Sequence, residues 1–177
     1  LTHEAATAYT DAGATATDIV DGTLTSDIIT INGVETSTLG SYTISYRVTD
    51  QAGNEAAILR TGNVVDTTSP SLTLVGESIV THEAGTSYSD AGATANDTVD
   101  GSLAESIMVT SNVDTDKVGS YEITYRVTDS SGNESSLNRT VNVVDTTAPS
   151  LTLVGESIVT HEAGTSYSDE GATANDT

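Results

Sequence analysis

The tetrapeptide Thr-His-Glu-Ala begins at Thr2, Thr81 and Thr160, a spacing of 79 residues each time. Other pieces keep the same interval. "DAGATA" at 11–16 returns at 90–95, "VDG" at 20–22 returns at 99–101, and "YRVTD" at 46–50 returns at 125–129. "GNE" follows at 53–55 and 132–134, and residues 70–90 are identical to 149–169. A fixed period without insertions points to a tandem array of small modules rather than one fold of 177 residues. Residues 1–66 form a repeat without the counterpart of "PSLTLVGESI" at 70–79, residues 67–145 form a complete repeat, and residues 146–177 open a third. The chain begins without Met and reads as a window on a longer array.

Within a repeat the pattern is all-β. Thr, Val, Ile and Tyr fill short runs, turns carry Gly, Asn and Asp, and no segment sustains a helical period. "YEITYRVTD" at 121–129 alternates, which puts Tyr121, Ile123, Tyr125 and Val127 on a core face and Glu122, Thr124, Arg126 and Thr128 toward water. "LNRTVNVVD" at 137–145 sets Leu137, Val141 and Val143 on one side, and "LTLVG" at 151–155 pairs Leu151 with Leu153. About seven short strands per repeat are expected, the number of an immunoglobulin-like β-sandwich. The fold class is therefore all-β, as tandem immunoglobulin-like β-sandwich repeats of 79 residues.

"GSY" at 40–42 and 119–121 sharpens this. A Tyr just after a Gly turn, at the start of the penultimate strand, is the site of a tyrosine corner, in which the hydroxyl bonds backbone a few residues upstream. Two residues on, where antibody domains carry Cys, stand Ile44 and Ile123, and the chain has no Cys. The string "GTSYSDAGATANDTVDGSL…VGSYEITYRVTDSSGNES…RTVNVVDTTAP" resembles the bacterial immunoglobulin-like repeats of large surface proteins and adhesins, a module also found beside some pesticidal crystal proteins. The resemblance runs over essentially the whole chain. It implies an extracellular, cell-surface spacer or adhesion module without catalysis.

The charge is extreme: 26 acidic against 5 basic residues, a formal net charge of −21. No cationic surface exists to displace counterions from nucleic acid or to dock on anionic lipid. No apolar run nears the ~20 residues of a membrane-spanning helix. In a sandwich of this topology, the loop after the second strand, the loop before the last strand and the incoming chain meet at one end. The acids fall on those pieces. "NDTVDG" carries Asp97 and Asp100, "TDSSGNE" carries Asp129, Asn133 and Glu134, and "VVDTTSP" carries Asp66. The first repeat has Asp18, Asp21, Asp50 and Asn54 at the matching positions, and the next junction would use Asp145 and Asp176. Two readings fit these residues. Converging loop oxygens suit Ca²⁺, which takes about 6–8 oxygen ligands. Asp-Gly and Gly-Asn are also ordinary turn formers, so turn chemistry alone accounts for the same motifs. An EF-hand is excluded: with Asp100-Gly101 at loop positions 5 and 6, Ile107 stands where the bidentate Glu belongs.

Other residues read more simply. His3, His82 and His161 recur without further His or any Cys nearby and are expected at the surface. Arg60 and Arg139 share the apolar side of the last strand, which requires an edge position or a carboxylate partner. Arg47 and Arg126 face outward and suit acids of a neighbouring strand or domain. Ser and Thr are plentiful, but no GxSxG turn and no nucleophile–base pattern appears, so no enzyme is expected. Sequons at Asn96, Asn133 and Asn138 read as chance in a bacterial chain. The functional expectation is a stalk, fibre or filament in which neighbouring repeats of the same chain are the partners and calcium stiffens the joints. The alternatives are an adhesive module for a glycan or host protein, and self-assembly of identical chains by strand donation.

Overall fold

In the computed structural model, residues 1–176 are described; Thr177, the last residue of the opening third repeat, lies outside them. The strands are β1 (Thr2–Glu4), β2 (Thr17–Asp18), β3 (Gly22–Thr23), β4 (Ile29–Asn32), β5 (Gly40–Thr49) and β6 (Glu55–Val65). They continue with β7 (Ser71–Leu74), β8 (Ile79–Glu83), β9 (Ala93–Asp97), β10 (Gly101–Ser102), β11 (Met108–Ser111), β12 (Gly119–Thr128) and β13 (Glu134–Val144). The last two are β14 (Ser150–Leu153) and β15 (Ala172–Asn175). Single 3-10 turns at Thr25–Asp27 and Ala104–Ser106 are the helical pieces among the described residues.

The period of 79 residues is visible strand by strand. One sheet runs β1-β6-β5-β4, and its counterpart runs β8-β13-β12-β11. In each, the Thr-His-Glu strand joins parallel to the last long strand: Glu4 stands opposite Val65, and Glu83 opposite Val144. The long hairpin partner is antiparallel, with Tyr46 opposite Ile58 and Ile44 opposite Arg60. The second sheet is β7-β9-β10 in the complete repeat and the β2-β3 pair in the first. The complete repeat thus has seven strands, β7 to β13, and forms the expected sandwich. β14 and β15 pair antiparallel, Leu151 opposite Ala174.

The alternation of "YEITYRVTD" sets the core. Ile123, Tyr125 and Val127 of β12 and Val141 and Val143 of β13 are buried, as are Ile44, Tyr46 and Val64 in the first repeat. Burying each such side chain stabilises by roughly 1.5–3 kcal/mol. Both tyrosine corners form: the Tyr42 hydroxyl donates to Thr38 O and that of Tyr121 to Lys117 O, each at 2.7 Å. Arg47 pairs with Glu55 and Arg126 with Glu134 across the hairpins, at exposed positions.

Arg139 is 1 % exposed and sits on an interior strand, since β13 lies between β12 and β8. Of the two resolutions expected for it, an edge or a carboxylate partner, the structure takes the partner. Its guanidinium donates to Asp90, and also to Glu77 O at 3.0 Å, Gly92 O at 3.2 Å and Val75 O at 2.5 Å. The Tyr125 hydroxyl also donates to Asp90. Burial alone would raise the Asp90 pKa, but Tyr125, Arg139 and the Gly92 amide together hold it below the usual range. The first repeat has a thinner version. Arg60 donates to Asp11 at 2.6 Å and to Gly13 O at 2.8 Å, and its side chain is 33 % exposed. The first repeat also has a groove of about 350 Å³ lined by Ala14, Ala16, Tyr46, Val48 and Ile58. In the complete repeat β7 adds to β9 at the matching place, and Val127 there is buried where Val48 is half-buried.

By contacts the chain divides into two compact units. One holds Leu1–Thr73 with Thr94–Ile107 and Arg126–Ser136. It contains the first repeat, the segment after β6, the β9–β10 turn and the β12–β13 turn. The other holds Leu74–Ala93, Met108–Tyr125 and the chain from Leu137 onward. It contains β8, β11, the Arg139 network and the β14–β15 pair.

Candidate metal centre

The segment that leaves β6 is tied down on the side of the first repeat. Because β1 runs parallel to β6 with Glu4 opposite Val65, the Glu4 carboxylate reaches the next turn of chain. It accepts the Thr67 amide at 3.0 Å and the Thr67 and Thr68 hydroxyls at 2.7 Å each. The hydroxyl bonds of Thr67 and Thr68, with the Thr67 amide, pull the Glu4 pKa down to about 2. Glu83 makes the same clasp on Thr146 and Thr147, and for the same reason its pKa falls to about 2. Sequence reasoning missed both glutamates. The available signal was that "THEA" and "VVDTT" recur together at one period.

The same segment is also held by the turns of the second repeat. Asn133 Nδ2 donates to Asp66 O at 3.3 Å, and Ser135 Oγ donates to Pro70 O at 2.6 Å. All these residues belong to the first compact unit.

The two turns are built by their acids. Asp97 is buried and its Oδ1 accepts the Val99 and Asp100 amides at 2.7 and 3.0 Å, closing the β9–β10 turn. Asp100 then accepts the Ser130 amide and hydroxyl, both at 2.7 Å, linking one turn to the other. Asp129 accepts the Ser131 and Asn133 amides and Asn133 Nδ2, at 3.0, 2.8 and 2.8 Å. Burial works to raise the Asp129 pKa, and the bonds from Asn133, Ser131 and Gly132 outweigh it, leaving it lowered. Gly132, at φ +93°, allows the turn that brings those amides inward.

Among the described residues, one group of three acids converges. Asp66, Asp100 and Asp129 each place a carboxylate oxygen within 4.8 Å of the other two. Asp97 and Asn133 lie in the same turns but serve as their scaffold. The first repeat repeats that scaffold. Asp18 accepts the Val20 and Asp21 amides, Asp21 accepts the Gln51 amide, and Asp50 accepts the Asn54 amide and side chain. Among the described residues these four form no three-acid group. Asp145 accepts the Thr147 amide, as Asp66 accepts that of Thr68. Asp176 follows β15.

The three histidines are alike. The His82 ring lies edge-on to Tyr88 and bonds Thr86, and His3 and His161 do the same with Tyr9 and Thr7 and with Tyr167 and Thr165. Among the described residues no helix is long and apolar enough to cross a membrane.

A family model described as "Bacterial surface protein, Ig-like domain" matches residues 1–64 and 72–143. The pesticidal crystal protein Cry22Aa of Bacillus thuringiensis is 34% identical over 133 residues, 73% of this chain and 18% of that protein. Hyalin of Strongylocentrotus purpuratus is 30% identical over 148 residues, 76% of this chain and 12% of hyalin. The chain therefore spans less than a fifth of the length of these curated relatives: 18% and 12%. Among solved structures, the lipoprotein BT2262 of Bacteroides thetaiotaomicron is 26% identical, at a TM-score of 0.41 over 45% of this chain and 39% of that one. A structure of the M60 catalytic domain with two CBM51 domains from Clostridium perfringens ZmpB is 14% identical, at a TM-score of 0.49 over 89% of this chain and 32% of that one.

Proposed function

Because the chain belongs to the family of bacterial surface protein Ig-like domains, we propose that it is a non-catalytic spacer segment of an extracellular stalk or fibre. Its repeats are the working parts, and its joints set how the array transmits bend and twist. One observation carries this reading. The chain between β6 and β7 is bonded by Glu4 on one side and by Asn133 and Ser135 on the other, so it is a fastened joint and not a tether. A cation at that joint adds to its stiffness. The identity of residues 70–90 with 149–169 supports a spacer over an adhesin, since recognition surfaces gain from variation and a spacer gains from uniform rise. A glycan-array screen of the chain tests this. The spacer reading expects no glycan retained; retention of a defined glycan would replace it with an adhesive module.

A further inference from the structure

We propose that Asp66, Asp100 and Asp129 form a calcium site that closes the joint between β6 and β7. The proposal rests on the reading of that segment as a fixed joint and names the ligand that completes it. Three carboxylate oxygens within 4.8 Å of one another repel in the absence of a counter-charge. Clustered acids alone prove little, because turn chemistry explains most of them. It explains Asp97 through the Val99 and Asp100 amides, Asp100 through Ser130, and Asp129 through Asn133. The first repeat builds the same turns with Asp18, Asp21 and Asp50.

Turn chemistry leaves Asp66 over. Its residue is 7 % exposed, its Oδ1 accepts only the weak 3.2 Å bond from Thr68 N, and its Oδ2 is buried with no hydrogen-bond partner. A buried carboxylate oxygen without a donor is costly, and the same carboxylate places an oxygen within 4.8 Å of oxygens of two further carboxylates. A cation supplies the missing partner and cancels the repulsion at once.

The donor set selects the metal. Every ligand is a hard oxygen, and the group contains no imidazole or thiolate, which disfavours zinc. Mg²⁺ demands near-ideal octahedral geometry and gives up its waters reluctantly, whereas Ca²⁺ takes about 6–8 oxygens in a flexible shell, which suits carboxylates brought in by three separate pieces of chain. Water fills the remaining positions. The geometry makes the site composite: Asp66 comes with the segment leaving one repeat, while Asp100 and Asp129 come from turns of the next. Calcium therefore links neighbouring repeats.

The test is calorimetric titration of the whole chain with CaCl₂ after chelator treatment. One ion per chain is expected at this site, with Kd on the order of 10⁻⁴–10⁻³ M as in other extracellular modules. Asp66→Asn keeps the shape and should weaken binding by about tenfold or more, whereas Asp116→Asn, outside the cluster, should leave it unchanged. Circular dichroism checks that Asp66→Asn is folded. Should it unfold, Asp100→Asn takes its place with the same expected loss. No saturable calcium binding, or binding unaltered in both cluster variants, overturns the site. Order parameters of the Thr67 and Thr68 amides report on the joint separately. Rigid amides without calcium binding would sink the site alone, and mobile amides with binding intact would sink the joint reading.

Discussion

Replacing Arg139 by Met keeps the aliphatic stem and deletes the guanidinium. The structure states what is lost. Five acceptors each lose one bond: Asp90, the Tyr125 hydroxyl oxygen, Val75 O, Gly92 O and Glu77 O. The Asp90 side chain, 23 % exposed, is left as a partly buried carboxylate. Breaking a buried pair from one side costs about 3–5 kcal/mol, because the orphaned charge remains. For a repeat of this size that is a fall in Tm on the order of 20 °C. The chain carries its own control. Arg60→Met removes the matching residue, whose side chain is 33 % exposed and which lacks the carbonyls that Val75 and Glu77 offer Arg139. Its cost should be clearly smaller. Hydrogen exchange resolves the two repeats in one sample. Amides of Val141 and Val143 should exchange about a hundredfold or more faster in Arg139→Met, in step with the free-energy loss. Amides of Gly62 and Val64 should move far less in Arg60→Met. Equal acceleration in the two variants would refute the reasoning, since it would mean that burial of the ion pair does not set its worth.

Further outcomes follow from single contacts. Tyr121→Phe removes the bond to Lys117 O and should cost about 1 kcal/mol, read by urea denaturation. The clasps titrate. Glu4 and Glu83 have folded pKa values lowered from 4.5 to about 2, so their stabilisation is complete above pH 4.5 and is lost as the pH falls from there toward 2. The Glu4→Gln, Glu83→Gln double variant should therefore lose less stability than the parent chain between pH 4.5 and 2. A pH profile of Tm identical in the two proteins would contradict this assignment.

How much was legible in the sequence depended on the range of the physics. Strand faces were legible because a period of two is local, and Ile123, Tyr125 and Val127 are buried as their alternation requires. The tyrosine corners were legible because Gly-Ser-Tyr holds donor and turn within a few residues. Arg139 was legible by half. Its place among valines demanded a partner, but Asp90 lies 49 residues away and no local pattern names it. The Thr-His-Glu strand hides in the same way, since only its parallel register with β6 brings Glu4 to Thr67 and Thr68. The convergence of Asp66, Asp100 and Asp129 followed from topology, because loops at one end of a sandwich must meet. What the sequence left open was the division of labour among the acids. Asp97 and Asn133 shape turns, and only packing reveals that Asp66 Oδ2 has no donor.

The central claim is that the chain between repeats is a fastened joint. Its most direct test is ¹⁵N relaxation of the Thr67 and Thr68 amides. A joint clasped by Glu4 predicts order parameters near those of rigid backbone, about 0.85, equal to those of β6 and β7. Values below about 0.6 at both amides, with the flanking strands rigid, would contradict it.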